Sequence, residues 1–63
     1  MAEKLLSLEQ VAEELNVSID TIRRLGRRAD QHRLPMLKVL NSVRVRRKDL
    51  DQWVERQLQM RLA

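Results

Sequence analysis

Apolar positions in the first part of the chain recur at helical spacing. Leu8, Val11, Ala12 and Leu15 fall on one face of a 3.6-residue period, with Glu9, Glu13 and Glu14 opposite. Ser7 precedes the run and Gln10 stands three residues on, the capping-box spacing that satisfies the first free N–H groups of a helix. The pattern predicts a helix over residues 8–15, ended by Asn16, which tolerates the left-handed conformation. Val17 is the apolar residue of the following turn. Ser18 then caps a second run with Ile19, Ile22 and Leu25 inward and Asp20, Arg23, Arg24, Arg27 and Arg28 outward. Gly26 either ends this helix or sits inside it at a cost of about 1 kcal/mol relative to alanine. Ending at Leu25 leaves barely two turns, so the helix is expected to continue to about Arg28.

The period changes after the polar connector that closes at Leu34 and Pro35. In "MLKVLNSVRVRR", Asn41 and Ser42 suit a tight turn between two extended runs. Val43 and Val45 alternate with Arg44 and Arg46, which predicts valines toward the core and arginines in solvent. A solvated hairpin without function has the same pattern. "KDLDQWVERQLQMRLA" predicts a third helix, with Asp49 and Asp51 complementing its dipole. Leu50, Trp53, Val54 and Leu58 form its apolar stripe, with Leu62 as an extension. Trp53, the sole aromatic, is read as a core anchor, with base stacking as the alternative. One domain over residues 1–63 is expected, frayed over 1–5 and 60–63.

Composition narrows the function. The chain has 63 residues and no cysteine, so disulfides and thiolate metal sites are excluded. No apolar run is long enough for a membrane span, and the N-terminus has no signal-peptide core, which points to the cytosol. His32, the only histidine, lies beside Arg33 in a polar stretch and is read as a solvated loop residue. Without tyrosine there is no tyrosine nucleophile. No enzyme activity, cofactor or metal is expected.

Charge changes the picture more. The net charge is +4, but residues 21–48 hold ten basic groups against Asp30 alone, a surplus of +9. The flanks hold three basic and eight acidic groups, or −5. Such segregation is the footprint of a polyanion partner. Arginines crowded in "TIRRLGRR" (residues 21–28) repel one another in isolation, whereas against phosphates each gains charge-assisted hydrogen bonds and releases counterions. Two short helices joined by a tight turn, the second bearing basic residues outward, form a helix-turn-helix pattern whose second helix fits a major groove. Arg23 and Arg27 project together as candidates for groove contacts, with guanine edges as targets. Arg24 and Arg28, a third of a turn round, are candidates for phosphates. Ser18 and Thr21 lie near the positive helix N-terminus, where phosphate binding and plain capping are both open. Arg44 and Arg46 project from the hairpin. Asp20, Lys38, Asn41 and Ser42 complete the candidate double-stranded DNA-binding set.

The order of elements carries a resemblance. Leu6, Ser7, Val11, Ala12 and Leu15, then Val17–Ser18, Thr21–Ile22 and Leu34–Pro35, then a basic hairpin and Arg47, Asp49, Leu50 and Trp53 are similar to the excisionase-type, MerR-like winged helix-turn-helix family over about residues 5–55. The resemblance implies a mainly α fold with a small β-hairpin wing. It departs from the family at Leu40, where glycine is frequent, in the longer connector, and at Arg23 and Gly26, where aromatic or apolar residues are common. The function implied is that of an excisionase, a recombination directionality factor of a phage or mobile element. It would bind and bend DNA in the bacterial cytoplasm, at the nucleoid, and help a tyrosine-family integrase run excision. The alternative is a small MerR-like transcriptional regulator. Such regulators continue into a dimerising coiled coil for which residues 56–63 leave no space. A protein-interaction module with an incidental basic face is the reading from another class. One short helix and one wing make a small footprint, so further copies are expected to assemble on DNA head to tail. Acidic Glu9, Glu13, Glu14, Asp51 and Glu55 would then meet basic Arg28 and Arg33 of the next copy.

Overall fold

A computed structural model describes residues 4–62, with side chains through Met60. The elements run β1 (Leu5–Ser7), α1 (Leu8–Leu15), α2 (Ile19–Arg27), β2 (Leu37–Val39), β3 (Ser42–Arg46) and α3 (Arg47–Leu62). The strands form one antiparallel sheet in the order β1-β3-β2. This is a winged helix-turn-helix, with β2 and β3 as the wing.

Local side-chain bonds set the first two helices. Ser7 Oγ accepts from Gln10 N at 3.1 Å while Gln10 Oε1 accepts from Ser7 N at 2.9 Å, completing the capping box. Asn16 adopts the left-handed conformation (φ 57°, ψ 46°), and its N–H and that of Val17 take up the last carbonyls of α1. Ser18 caps α2 by accepting from Thr21 N at 3.2 Å. Gly26 lies inside α2, where a Cβ would overlap the Met36 side chain, so the connector methionine lies directly over the helix backbone. The helix stops one residue before the expected end. Arg28 is its extended cap (φ −65°, ψ 148°).

Leu6, Val11, Ala12, Ile22, Leu34, Val45 and Leu50 are buried together. Leu6 and Val45 are direct partners across β1 and β3. Leu34 is tied to α2 by its N–H, which donates to the Leu25 carbonyl at 3.1 Å. Trp53 packs half-buried against this cluster, and its Nε1 donates to the His32 carbonyl at 2.9 Å. The His32 ring also meets Gln57 Oε1 through Nδ1 at 2.8 Å. His32 is therefore no solvated loop residue: it fastens the connector to α3.

Three further expectations change. Leu58 is exposed, because α3 extends past the edge of the small core. Val43 is also exposed, as the wing carries it beyond the body that covers Val45. The wing turn falls on Leu40 and Asn41, not Asn41 and Ser42, since Ser42 pairs with Val39. Leu40 takes the positive φ of this turn, 56°. Left-handed backbone costs a residue with a Cβ roughly 1–2 kcal/mol. Within the ends expected to fray, Leu5 is paired with Arg46 and α3 continues to Leu62, while residues 1–3 and 63 lie outside the described residues.

Candidate nucleic-acid interface

The turn at Asn16 and Val17 sets α2 beside the wing. A shallow groove between them is lined by Ile19 and Arg23 from α2 and by Ser42, Val43 and Arg44 from β3, and is closed by Ser7, Leu8 and Glu9. Arg23 and Arg44, candidates from distant parts of the sequence, thus open onto one groove. Ile19, Val43 and Glu9 were not in the candidate set. Periodicity points Val43 and Ile19 to the core, against which Ile19 also packs, and no sequence signal brings Glu9 to β3.

Partners differ along α2. Arg23 lies 3.6 Å from Asp20, and both are largely exposed, so the pair is a loose one. Arg24 and Arg27 are exposed with no ion-pair partner among the described residues. Arg28 is different. Its Nε and Nη2 bond the two oxygens of Asp30 at 2.9 and 2.5 Å, a bidentate clasp. The hydrogen bond from Arg28 holds the Asp30 carboxyl well below the usual carboxylate range, against its desolvation and with help from the His32 N–H. Asp30 in turn raises the Arg28 guanidinium. At the start of α2 the Ser18 and Thr21 hydroxyls bond each other at 2.9 Å while Ser18 caps the helix.

On the wing, Lys38 and Asn41 are exposed, and Ser42 is half-buried. Arg44 is half-buried, and its Nη1 donates to the neighbouring Val43 carbonyl at 2.9 Å. Arg46 does not stand out in solvent as the alternation predicted. It is half-buried, with Nε 4.0 Å from Asp49 in the first turn of α3. The fold therefore gathers Arg23, Ser42 and Arg44 at one groove, keeps Asp20, Arg24 and Arg27 on the same helix, and sets Lys38 and Asn41 along the wing. Arg28 is clasped by Asp30, and Arg46 lies half-buried near Asp49. Among the described residues no three His, Asp or Glu side chains gather as a metal site, and no helix is long and apolar enough to cross a membrane.

A capped two-helix unit with outward arginines on its second helix, flanked by a basic hairpin, defines a winged helix-turn-helix of the DNA-binding class. The helix-turn-helix domain family matches residues 5–58, and the chain belongs to that family, a DNA-binding one that includes excisionase-like proteins. No curated protein and no solved structure matches the chain. Family membership implies that this chain binds double-stranded DNA.

Proposed function

We propose that the chain is an excisionase-type recombination directionality factor. It binds duplex DNA beside a recombinase site, bends or coats it, and helps a tyrosine-family integrase run excision. It acts by binding alone, without catalysis or cofactor, in the bacterial cytoplasm. The observation that carries the contact geometry is the shared groove of Arg23 and Arg44. With α2 in a major groove, the wing lies over the adjacent backbone or minor groove. Arg23 and Arg27 address base edges and Arg24 a phosphate, while Ser18 and Thr21 approach a phosphate at the helix N-terminus. Lys38, Asn41, Ser42 and Arg44 follow the backbone. Asp20 lies beside Arg23, and Arg28 and Arg46 contribute less, because Asp30 clasps the first and the second is half-buried.

Charge segregation supports side-by-side copies on the duplex, in a contact that propagates head to tail. Glu9, Glu13 and Glu55, with no ion-pair partner among the described residues, are its acidic side, and Arg33 its basic one. Glu14 and Asp51 are taken by Arg47 within the chain. Footprinting on integrase attachment-site DNA, with an excision assay alongside, tests this reading. A protein monomeric in solution should protect direct repeats cooperatively and turn the integrase toward excision. Its affinity should fall steeply with salt, as about five to seven phosphate contacts require. A stable free dimer that protects an inverted repeat and leaves excision unchanged would replace this reading with a promoter-binding regulator.

A further inference from the structure

We infer that Leu40, in the turn of the wing, is an apolar wedge that enters the minor groove and parts a base step when the domain sits on duplex DNA. The inference rests on the DNA-binding reading above. Two independent observations lead to it. Leu40 is 91% exposed, whereas the next most exposed large apolar side chain among the described residues, Leu58, is at 49%. Leu40 also has φ 56°, and the only other positive φ outside glycine among the described residues is that of Asn16, a residue suited to it. A scattered exposed leucine needs no explanation. A leucine held in strained backbone at a hairpin turn does, because glycine or asparagine fits that conformation better and Asn41 stands next to it without adopting it. Neither the exposure nor the backbone of Leu40 helps the fold, which places its use outside the folded chain.

The surroundings of Leu40 specify the occupant. The wing carries Lys38 on β2 and Arg44 on β3, and Val39 and Val43 are partly exposed behind the turn. It is a basic ribbon with an apolar end. Phosphates attract such a ribbon, and the apolar surface that a duplex offers its end is the face of the bases, reached by parting a step. Side chains that do this kink DNA toward the major groove. One copy thereby bends the duplex by itself, without a filament.

The test uses duplexes of about 30 base pairs with a flexible TA step in an A·T run, moved one position at a time. 2-Aminopurine replaces the step adenine to report unstacking, and a dye pair on the ends reports bending. Leu40→Gly and Leu40→Asn remove the wedge and suit the backbone, and circular dichroism checks that both are folded. Wild type should brighten 2-aminopurine at one register and shorten the end-to-end distance, as expected for a kink of about 20–90°. Both variants should keep the salt dependence and lose both signals. Their affinity should stay within about tenfold of wild type, since burying the side chain and parting the step largely offset one another. Leu40→Phe should retain both signals. A Leu40→Gly variant that unstacks and bends like wild type overturns the wedge and leaves the DNA-binding reading intact. A wild type without salt-dependent duplex binding overturns both. A concentration-dependent rise in solution mass that Leu40→Gly abolishes, with the DNA signals unchanged, assigns Leu40 to a contact between copies and overturns the wedge.

Discussion

Arg23, Arg24 and Arg27 on α2 and Arg46 and Arg47 at the β3–α3 junction carry the same chemistry, and the fold uses them in opposite ways. On α2 the guanidinium groups face solvent, with one loose pair among the described residues, Arg23 with Asp20. At the junction Arg47 bonds Glu14 of α1 at 2.7 Å and Asp51 of α3 at 3.4 Å, and its backbone N–H donates to the Lys4 carbonyl at 3.1 Å. It joins the N-terminal segment, α1 and α3 at one point. A count of basic residues therefore overstates the surface available to phosphate. What matters is whether the fold supplies a carboxylate: Arg28 and Arg47 bond one, Arg46 lies half-buried beside Asp49, and among the described residues none pairs with Arg24 or Arg27.

The largest effect is expected on the structural side of this contrast. Trp53→Ala removes the half-buried indole and the donor that holds the His32 carbonyl, and should cost about 3–5 kcal/mol, enough to unfold so small a domain. Urea unfolding followed by circular dichroism measures it. A folded variant that loses only DNA affinity would move Trp53 to the binding side.

A smaller pair of effects should cross. Arg23→Ala should cost about 1–3 kcal/mol at a preferred DNA site and relax base preference there, with the melting temperature unchanged. Arg47→Ala should lower the melting temperature and leave DNA affinity per folded molecule as it was. Titrations and melts on both variants decide it, and equal behaviour of the two would erase the contrast.

The smallest effect is a gain. Asp30→Ala frees Arg28, so the logarithmic salt slope should steepen by up to about one. The pair has a pH signature as well. Because the Asp30 carboxyl is lowered in the folded chain, its contribution to stability is complete above the ordinary carboxylate value of about 3.9 and is lost as pH falls through the lower folded value. Wild type and Asp30→Asn should thus differ by a constant amount between about pH 5 and 8 and converge only in strong acid. Convergence near neutrality would show that the clasp does not form in solution.

The helix-turn-helix unit was legible because its signals are local. Ser7 with Gln10 and Ser18 with Thr21 act across three residues, so the spacing alone states the bond, and Asn16 ends α1 through its own conformation. The wing was legible in outline from its alternation, and the core stripe of α3 from Leu50, Trp53 and Val54. Strand β1 was not, since three residues carry no period and its partner β3 lies far along the chain. Nor were the fastening of His32 to α3, the burial of Leu34 or the clasp of Arg28 on Asp30, each of which depends on where the connector folds back. Of the candidate site, residue types and helix face were readable. Which arginines remain available depends on contacts such as Arg46 with Asp49, and those follow from packing.

The indole that pins the connector also makes the chain its own optical reporter. With no tyrosine and no phenylalanine, near-ultraviolet absorption and emission come from Trp53 alone, seated on the His32 carbonyl and absent from the lining of the groove between α2 and the wing. Release of the connector changes the surroundings of that fluorophore, whereas the groove proposed for nucleic acid is lined by other residues. Unfolding and ligand binding are therefore separable in one cuvette without a label: the emission maximum follows the first, and a fluorescent duplex follows the second.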